Sequence, residues 1–452
     1  MTGLANAPVS SEFVGAAVRP NFSETIRTFG RIGLLSFGGP AGQIALMHRV
    51  LVEEKRWMDE RHFLHALNYC MLLPGPEAMQ LATYSGWLLH GTKGGLAAGL
   101  LFLLPGALLI IALSILYFLV GDAPAVAGLL FGLKAAVLAV VMEALLRMSR
   151  RALKDSMAVV IAVAAFAAIA FFRVPFPVII VAAALVGVVV RMSAPRAAAD
   201  ADKSNSADEV PEWARPTTAR FISTLAIWLA AWFGPLLLLL AVFDAGNVFV
   251  QQAKFFSVMA TVTFGGAYAV LAYVAQQAVQ VYGWLRPAEM LTGLGLAETT
   301  PGPLILVLVF VGFLGGARAE DLAGVAGGLV GAAVALWFTF VPCFLWIFVG
   351  APFVERLRGV RWLASALAAV TAAVVGIIAS LALWFGLHVL FREVHDTTFG
   401  PVALPVPDFA SLDAWAAAIA VLSAIGLIRM HLPILAVLGW AMMVGMVVRL
   451  VL

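Results

Sequence analysis

Two kinds of residue in this sequence could act on a charged solute. The first is a pair of backbone-breaking clusters, Ser36-Phe37-Gly38-Gly39-Pro40 and Pro74-Gly75-Pro76-Glu77, each set inside a long apolar segment. Glycine and proline interrupt helices by freeing backbone amides or by removing a donor. A helix that begins at such a break offers unpaired N–H groups and the positive end of its dipole, which suits an anion. The second kind is ionisable. Lys134 sits mid-segment, Glu77 follows one break, and Glu298 precedes its counterpart. A charge within a membrane costs roughly 3 kcal/mol and marks a functional position by default. Lys134 would attract an anion, and Glu77 and Glu298 are proton-coupling candidates, because buried carboxyls can exchange protons at accessible pH. The competing explanation is structural: glycines that let helices approach closely, and Lys134 paired with Glu77 or Glu143.

Duplication argues for the functional explanation. Thr263-Phe264-Gly265-Gly266 repeats the first cluster and Pro301-Gly302-Pro303 the second. The offset is 227 residues at every landmark: Phe29 to Phe256, Phe37 to Phe264, Trp57 to Trp284 and Pro74 to Pro301. An internal repeat of one folding unit follows. The substrate-binding candidates are therefore Ser36, Phe37, Gly38, Gly39, Gln43, Gly75, Gln80 and Lys134 in the first copy, with Thr263, Gly265, Gly266 and Gly302 in the second. Their hydroxyls, amides and bare N–H groups can bind a tetrahedral oxyanion without adding charge.

The elements that position these residues are membrane helices. Of 452 residues, 63% are hydrophobic and 12% charged, where a soluble domain carries about 25% charged residues. The apolar runs are continuous and about 20 residues or longer, which suits helices rather than the short alternating strands of a barrel. Asn21 is placed to cap the first helix. Trp57, Trp87, Trp284, Trp362 and Trp384 suit interfacial anchoring. Two cysteines, Cys70 and Cys343, and scattered histidines form no metal cluster. No metal, cofactor or catalytic residue is expected, and no cleavable leader precedes the first apolar segment.

The segments divide into residues 1–192 as a first repeat, 193–218 as a cytoplasmic linker, 219–249 as a connector helix and 250–452 as a second repeat. The last elements are matched by aligning Arg173-Val-Pro-Phe-Pro177 with Arg429-Met-His-Leu-Pro433. One odd segment between equal halves predicts an inverted-topology repeat, the plan of many secondary transporters. Thirteen simple crossings would put the basic Arg49–Arg61 stretch outside. If each broken segment is instead a re-entrant hairpin, 21 of the 28 Lys and Arg lie inside and six outside, with Lys134 within a span. The hairpins are preferred. Both arrangements put the N-terminus in the cytoplasm and the C-terminus in the periplasm.

At these motifs the sequence resembles the chromate ion transporter family, in its long two-domain form. The residues that carry the likeness are Phe29-Gly-Arg-Ile-Gly33, Ser36 to Pro40 with Gly42-Gln43, Glu54-Lys-Arg-Trp57, Pro74 to Glu77 through Gln80, and Tyr84-Ser-Gly86. The resemblance implies export of chromate across the bacterial inner membrane, giving resistance, as an antiporter coupled to protons or as a carrier driven by the membrane potential. The second half departs from the pattern: Ala267 replaces Pro40, Val270 replaces Gln43, and Leu304 replaces Glu77. The expected partners are chromate or a related oxyanion and the lipid bilayer, without nucleic acid, with a homodimer left open. The rivals are a sulfate carrier, a channel, and an intramembrane enzyme acting on oxyanions. The last would need a cofactor or activated nucleophile that the sequence does not supply.

Overall fold

The computed structural model describes residues 20–193, 217–264, 267–353, 361–400 and 402–451. Among them, six helices are long and apolar enough to cross a membrane, so the chain is an all-α, multi-pass membrane protein.

The first copy begins with α1, Phe22–Leu35, capped where the Asn21 side chain accepts the Glu24 amide at 2.8 Å. It stops at the first break. Helix α2, Gly39–His48, then continues through a π-helical turn, Arg49–Glu54. Helix α3, Glu60–Leu72, starts on an Asp59 cap and stops at the Pro74-Gly75-Pro76 break. Helix α4, Glu77–Val120, reverses direction at His90 and Gly91. Its two arms then lie side by side, so close that a Cβ on Gly94 would sit 2.2 Å from the Gly86 oxygen. At 1.5 Å per residue the first arm is about 21 Å long, short of the roughly 30 Å hydrocarbon layer. The α1–α2 pair folds back on itself, with Lys55 Nζ reaching Glu24 Oε1 at 2.8 Å, and α3 packs on α4, with the charged 49–61 stretch between the two pairs. Helices α5 (Pro124–Ala152), α6 (Ser156–Ala170) and α7 (Phe176–Ser193) complete this copy.

Helix α8, Thr218–Val242, has no counterpart. It lies at the periphery, with Leu237 and Leu238 each 65% exposed on an apolar outer surface. Trp232 ties it inward, its Nε1 donating to Ser257 Oγ at 3.1 Å.

The second copy runs α9 (Val248–Val262), α10 (Ala267–Ala275) with the π-helical turn Gln276–Val281, α11 (Pro287–Thr299), a short 3-10 turn and α12 (Val307–Ala317). Next come α13 (Gly324–Gly350) and α14 (Arg361–Leu390). The 227-residue offset survives in three dimensions. It relates both ends of α3 to α11, both ends of one π turn to the other, and the left-handed residues Arg56 to Gly283 and Gly75 to Gly302. After α14 comes an antiparallel β-hairpin, Val394–Phe399 with Val402–Pro407, a stretch that the sequence reading leaves unassigned. Phe171 O accepts the Ala403 amide at 2.8 Å, which docks the hairpin on the α6–α7 turn. Helices α15 (Ala414–Ala424) and α16 (Ile434–Val451) finish the chain.

The halves interpenetrate. Helix α5 packs on α15 and α16 of the second copy, and α14 packs on α6 and α7 of the first. Small residues allow the approach: a Cβ on Gly132 would lie 1.8 Å from Ala441 O, and one on Gly376 would lie 1.9 Å from Ala162 O. Gly132→Ala is expected to cost about 1–3 kcal/mol of stability through overpacking. The check is thermal unfolding and monodispersity in detergent; an unchanged melting curve contradicts this packing.

Two expectations need correction. Trp57, Trp87 and Trp284 are not interfacial anchors but are buried, at 8%, 5% and 4% exposure. For Trp57 and Trp284 the reason is local: each follows a π turn that folds it back into the protein, and Trp284 stacks on Tyr282 at 4.4 Å; Trp87, within α4, packs against Tyr84. The α6–α7 turn also aligns two residues away from the expected register. Arg173 and His431 share a left-handed backbone, so Pro175, not Pro177, matches Pro433.

Candidate functional site

The four breaks meet in reciprocal pairs. Gly75 N donates to Thr263 O at 2.8 Å, and Gly302 N donates to Ser36 O at 2.8 Å. Ser36 and Thr263 are repeat mates, as are Gly75 and Gly302, so one hydrogen bond is the image of the other. Gln43 reinforces one crossing, its Nε2 donating to Gly302 O at 2.6 Å and to Ser36 O at 3.2 Å. Gln80 braces the other tip by donating to Pro74 O at 2.7 Å. The Oε1 atoms of both glutamines are buried without a partner. Ser36 Oγ donates to Ile32 O at 2.6 Å, Thr263 Oγ1 donates to Met259 O, and Phe37 is half-buried. Ser36, Gln43, Gly75, Gln80, Thr263 and Gly302 thus build the crossing, while Gly265 and Gly266 lie outside the described residues.

A cavity of about 340 Å³ adjoins the crossing, within the range of small-molecule sites. Gly38, Gly39 and Pro40 line it at the start of α2. Gly38 and Gly39 hold φ of +87° and +71°, and no side chain caps the helix. The first-turn amides of α2 therefore have no intrahelical acceptor. Arg147 and Arg151, one turn apart on α5, form an opposing wall. Glu77 and Glu298 also line the space. Tyr268 Oη donates to Glu298 Oε1, and Arg147 Nε donates to Glu143 Oε1 at 3.0 Å. Met71, Met148, Phe264 and Thr371 add soft or weakly polar surface. Arg151, the remaining donors of an Arg147 guanidinium that holds Glu143 through both Nε and Nη2, and a helix N-terminus surround one space and can hold a small oxyanion.

Lys134 is elsewhere. It is on α5, 13 residues and about 20 Å before Arg147. The charges it meets are Arg449, Arg286 and Glu289, not Glu77 or Glu143.

Residues 23–188 and 250–446 match the family of chromate transporters. The chain belongs to that family. It is similar to a chromate transport protein of Pseudomonas aeruginosa, at 32% identity over 87% of this chain and 88% of that one. A chromate transport protein of Cupriavidus metallidurans is 28% identical over 78% of this chain and 80% of its own length. No solved structure matches the chain. The two family-matched regions each supply walls of the cavity: Gly38, Glu77 and Arg147 fall in the first, and Tyr268, Glu298 and Thr371 in the second.

Sequence reasoning offered Glu143 as a partner for Lys134 and left Arg147 and Arg151 out of the site, because the apolar run ends near residue 146. The helix continues to Ala152. The overlooked signal is the spacing Glu143, Arg147, Arg151, which puts three charges on one helix face in i, i+4, i+8 steps.

Proposed function

We propose that this protein is a secondary transporter that exports chromate from the cytoplasm across a bacterial inner membrane and so confers chromate resistance. The observation that carries this reading is the cavity in which Arg147, Arg151 and the open N-terminus of α2 converge beside the crossed breaks. Chromate at neutral pH is largely a tetrahedral dianion. The two arginines match its charge, and the α2 amides suit its oxygens.

Sidedness follows from the basic residues. The cavity is walled by the ends of α5 and α14 that adjoin Arg150, Arg151, Lys154 and the start of α14 at Arg361. The positive-inside rule assigns that face to the cytoplasm. The C-terminus then lies in the periplasm, and the repeats are inverted about an axis in the membrane plane, an arrangement that the single connector helix α8 between two equal halves supports. An inside-negative potential drives a dianion outward by about 4.6 kcal/mol per 100 mV. Glu77 and Glu298 are the protonation sites: a dianion beside two carboxylates is repelled unless they carry protons.

The direct test is uptake of labelled chromate into inverted vesicles, with sulfate as competitor, under imposed pH and voltage gradients. Saturable, voltage-sensitive uptake is expected, and chromate reduction without uptake would instead identify an enzyme. Glu298→Gln leaves this position neutral at every pH. In the native protein, sulfate inhibition from the cavity side is expected to strengthen as pH falls; in Glu298→Gln it is expected to change less than half as much. A native pH dependence preserved in Glu298→Gln removes this residue from coupling.

A further inference from the structure

Helices α5 and α14 are repeat mates at an offset of 237 residues. Lys134-Ala-Ala-Val137 aligns with Thr371-Ala-Ala-Val374, and the helix starts at Pro124 and Arg361 keep the same offset. The open cavity uses Leu367, Val370, Thr371 and Ile378 of α14. Their images on α5 are Leu130, Leu133, Lys134 and Val141. From α5 the cavity uses Ala144, Arg147, Met148 and Arg151, whose images on α14 are Leu381, Trp384, Phe385 and His388. The image of the open cavity is therefore a second place, toward the opposite face, between the first half of α5 and the last half of α14.

Between α5 and α14 that second place is closed, and the cavity of about 80 Å³ that Leu381 and Trp384 line lies on the side of Arg173, Gln276 and Gln280. Leu130, Leu133, Val141, Leu381 and Phe385 are at most 9% exposed. The two helices meet there, with a Cβ on Gly386 falling 3.8 Å from Leu138 Cδ1. Lys134, on the α5 side of this place by the alignment, is half-buried and makes no hydrogen bond or ion pair to a described residue. Of the charges around it, Arg449 and Arg286 are cationic and Glu289 is anionic. Glu289 is already claimed, by Arg286 at 2.8 Å and by Arg318 at 2.6 and 2.9 Å. A cation left unpaired among surplus cations, inside a membrane helix, calls for an anion that is not part of the protein.

We propose that Lys134 is the oxyanion ligand of an outer cavity, the image of the open one, which forms when α5 and α14 part on the Arg286 face. The proposal rests on the transport reading above and adds the residue that holds the anion in the outward-facing state. Thr371 occupies the same position in the inner cavity. Exchange of a hydroxyl for an ammonium makes the two sides unequal: the outer site holds the anion through Lys134, and the inner one through Arg147 and Arg151.

Two measurements test it on the full-length protein in proteoliposomes of known orientation. In Leu133→Cys, or Leu130→Cys if the first folds poorly, a membrane-impermeant thiol reagent added on the Arg286 face is expected to label at least tenfold faster than the buried Cys70 and Cys343 background. Background-level labelling of a transporting variant overturns the outer cavity. In Lys134→Gln, sulfate added on the Arg286 face is expected to inhibit about tenfold less well, while the apparent KM for chromate on the Arg147 face changes less than twofold. Equal shifts on both faces overturn the assignment of Lys134, as does full activity with unchanged affinities when Lys134→Gln is combined with Glu289→Gln. If the unsubstituted protein moves no chromate, the transport reading fails by itself; labelling of Leu133→Cys, and its protection by sulfate, still report on the outer site.

Discussion

Chromate uptake into inverted vesicles is expected to fall about tenfold when either Arg147 or Arg151 is replaced by glutamine, and on the order of a hundredfold when both are. A unit charge 4 Å from each charge of a dianion contributes about 4 kcal/mol per pair at an effective dielectric near 20, before desolvation is subtracted. A net loss of about 1.4 kcal/mol per arginine already gives the tenfold step. The two residues are one helical turn apart and face one cavity, so their effects can couple and the double variant need not equal the product. The loss should appear as a raised KM on the cavity face, with the amount of protein in the membrane unchanged. Lysine replacements should recover part of the affinity, since they keep the charge but lose the planar fork.

Arg147 has a second role to separate from this one. It pairs with Glu143 through Nε to Oε1 at 3.0 Å and through Nη2 to Oε2, and its removal leaves a half-buried carboxylate without its partner. Arg147→Gln combined with Glu143→Gln removes that penalty. If the pair is only a brace, the double variant transports normally. If Arg147 holds the anion, the double variant folds as well as the native protein and still transports poorly.

How much of this was legible in the sequence depends on what each feature rests on. The repeat was legible because it is a pattern of residue types at fixed spacing, and the π turns, helix ends and left-handed residues kept the 227-residue offset. Helix existence was legible from apolar run length, since lipid leaves few alternatives. The division of labour among the breaks was not. Gly38 and Gly75 look alike in sequence, yet one lines the cavity and the other crosses to the second copy. That distinction depends on which tip meets which, a contact between residues nearly 190 positions apart. Arg147 and Arg151 were missed because apolarity marks where lipid contact ends, not where a helix or a water-filled space ends. Trp57 and Trp284 were misplaced for a related reason: an amphipathic ring fits both an interface and the protein interior, and only the π turn decides between them.

Gly75→Ala is expected to have the largest structural effect of any single methyl addition at the four breaks. Gly75 has φ of +123°, a region closed to residues with a Cβ except at a cost of about 1–3 kcal/mol. The added Cβ would fall 2.8 Å from Cys343 Sγ and 2.9 Å from Gln80 Nε2. Relief would have to move the tip, and that stretches the 2.8 Å hydrogen bond from Gly75 N to Thr263 O which joins the two copies. The repeat mate provides the comparison. Gly302 also has a positive φ, +93°, but the one tight contact of its Cβ would be with the flexible Leu306 Cδ1 at 3.1 Å, Phe102 O and Gly106 Cα lying at ordinary distances of 3.6 and 3.8 Å. Gly302→Ala should therefore incur the backbone strain and little else. The expected order of stability in detergent is native, then Gly302→Ala, then Gly75→Ala, with transport lost at least tenfold in the last. Cys343→Ala should recover part of the stability of Gly75→Ala by opening space at Sγ, while leaving the backbone strain in place. Equal melting temperatures for the two alanine variants, or no recovery with Cys343→Ala, would show that the tip is not held against Cys343 as described.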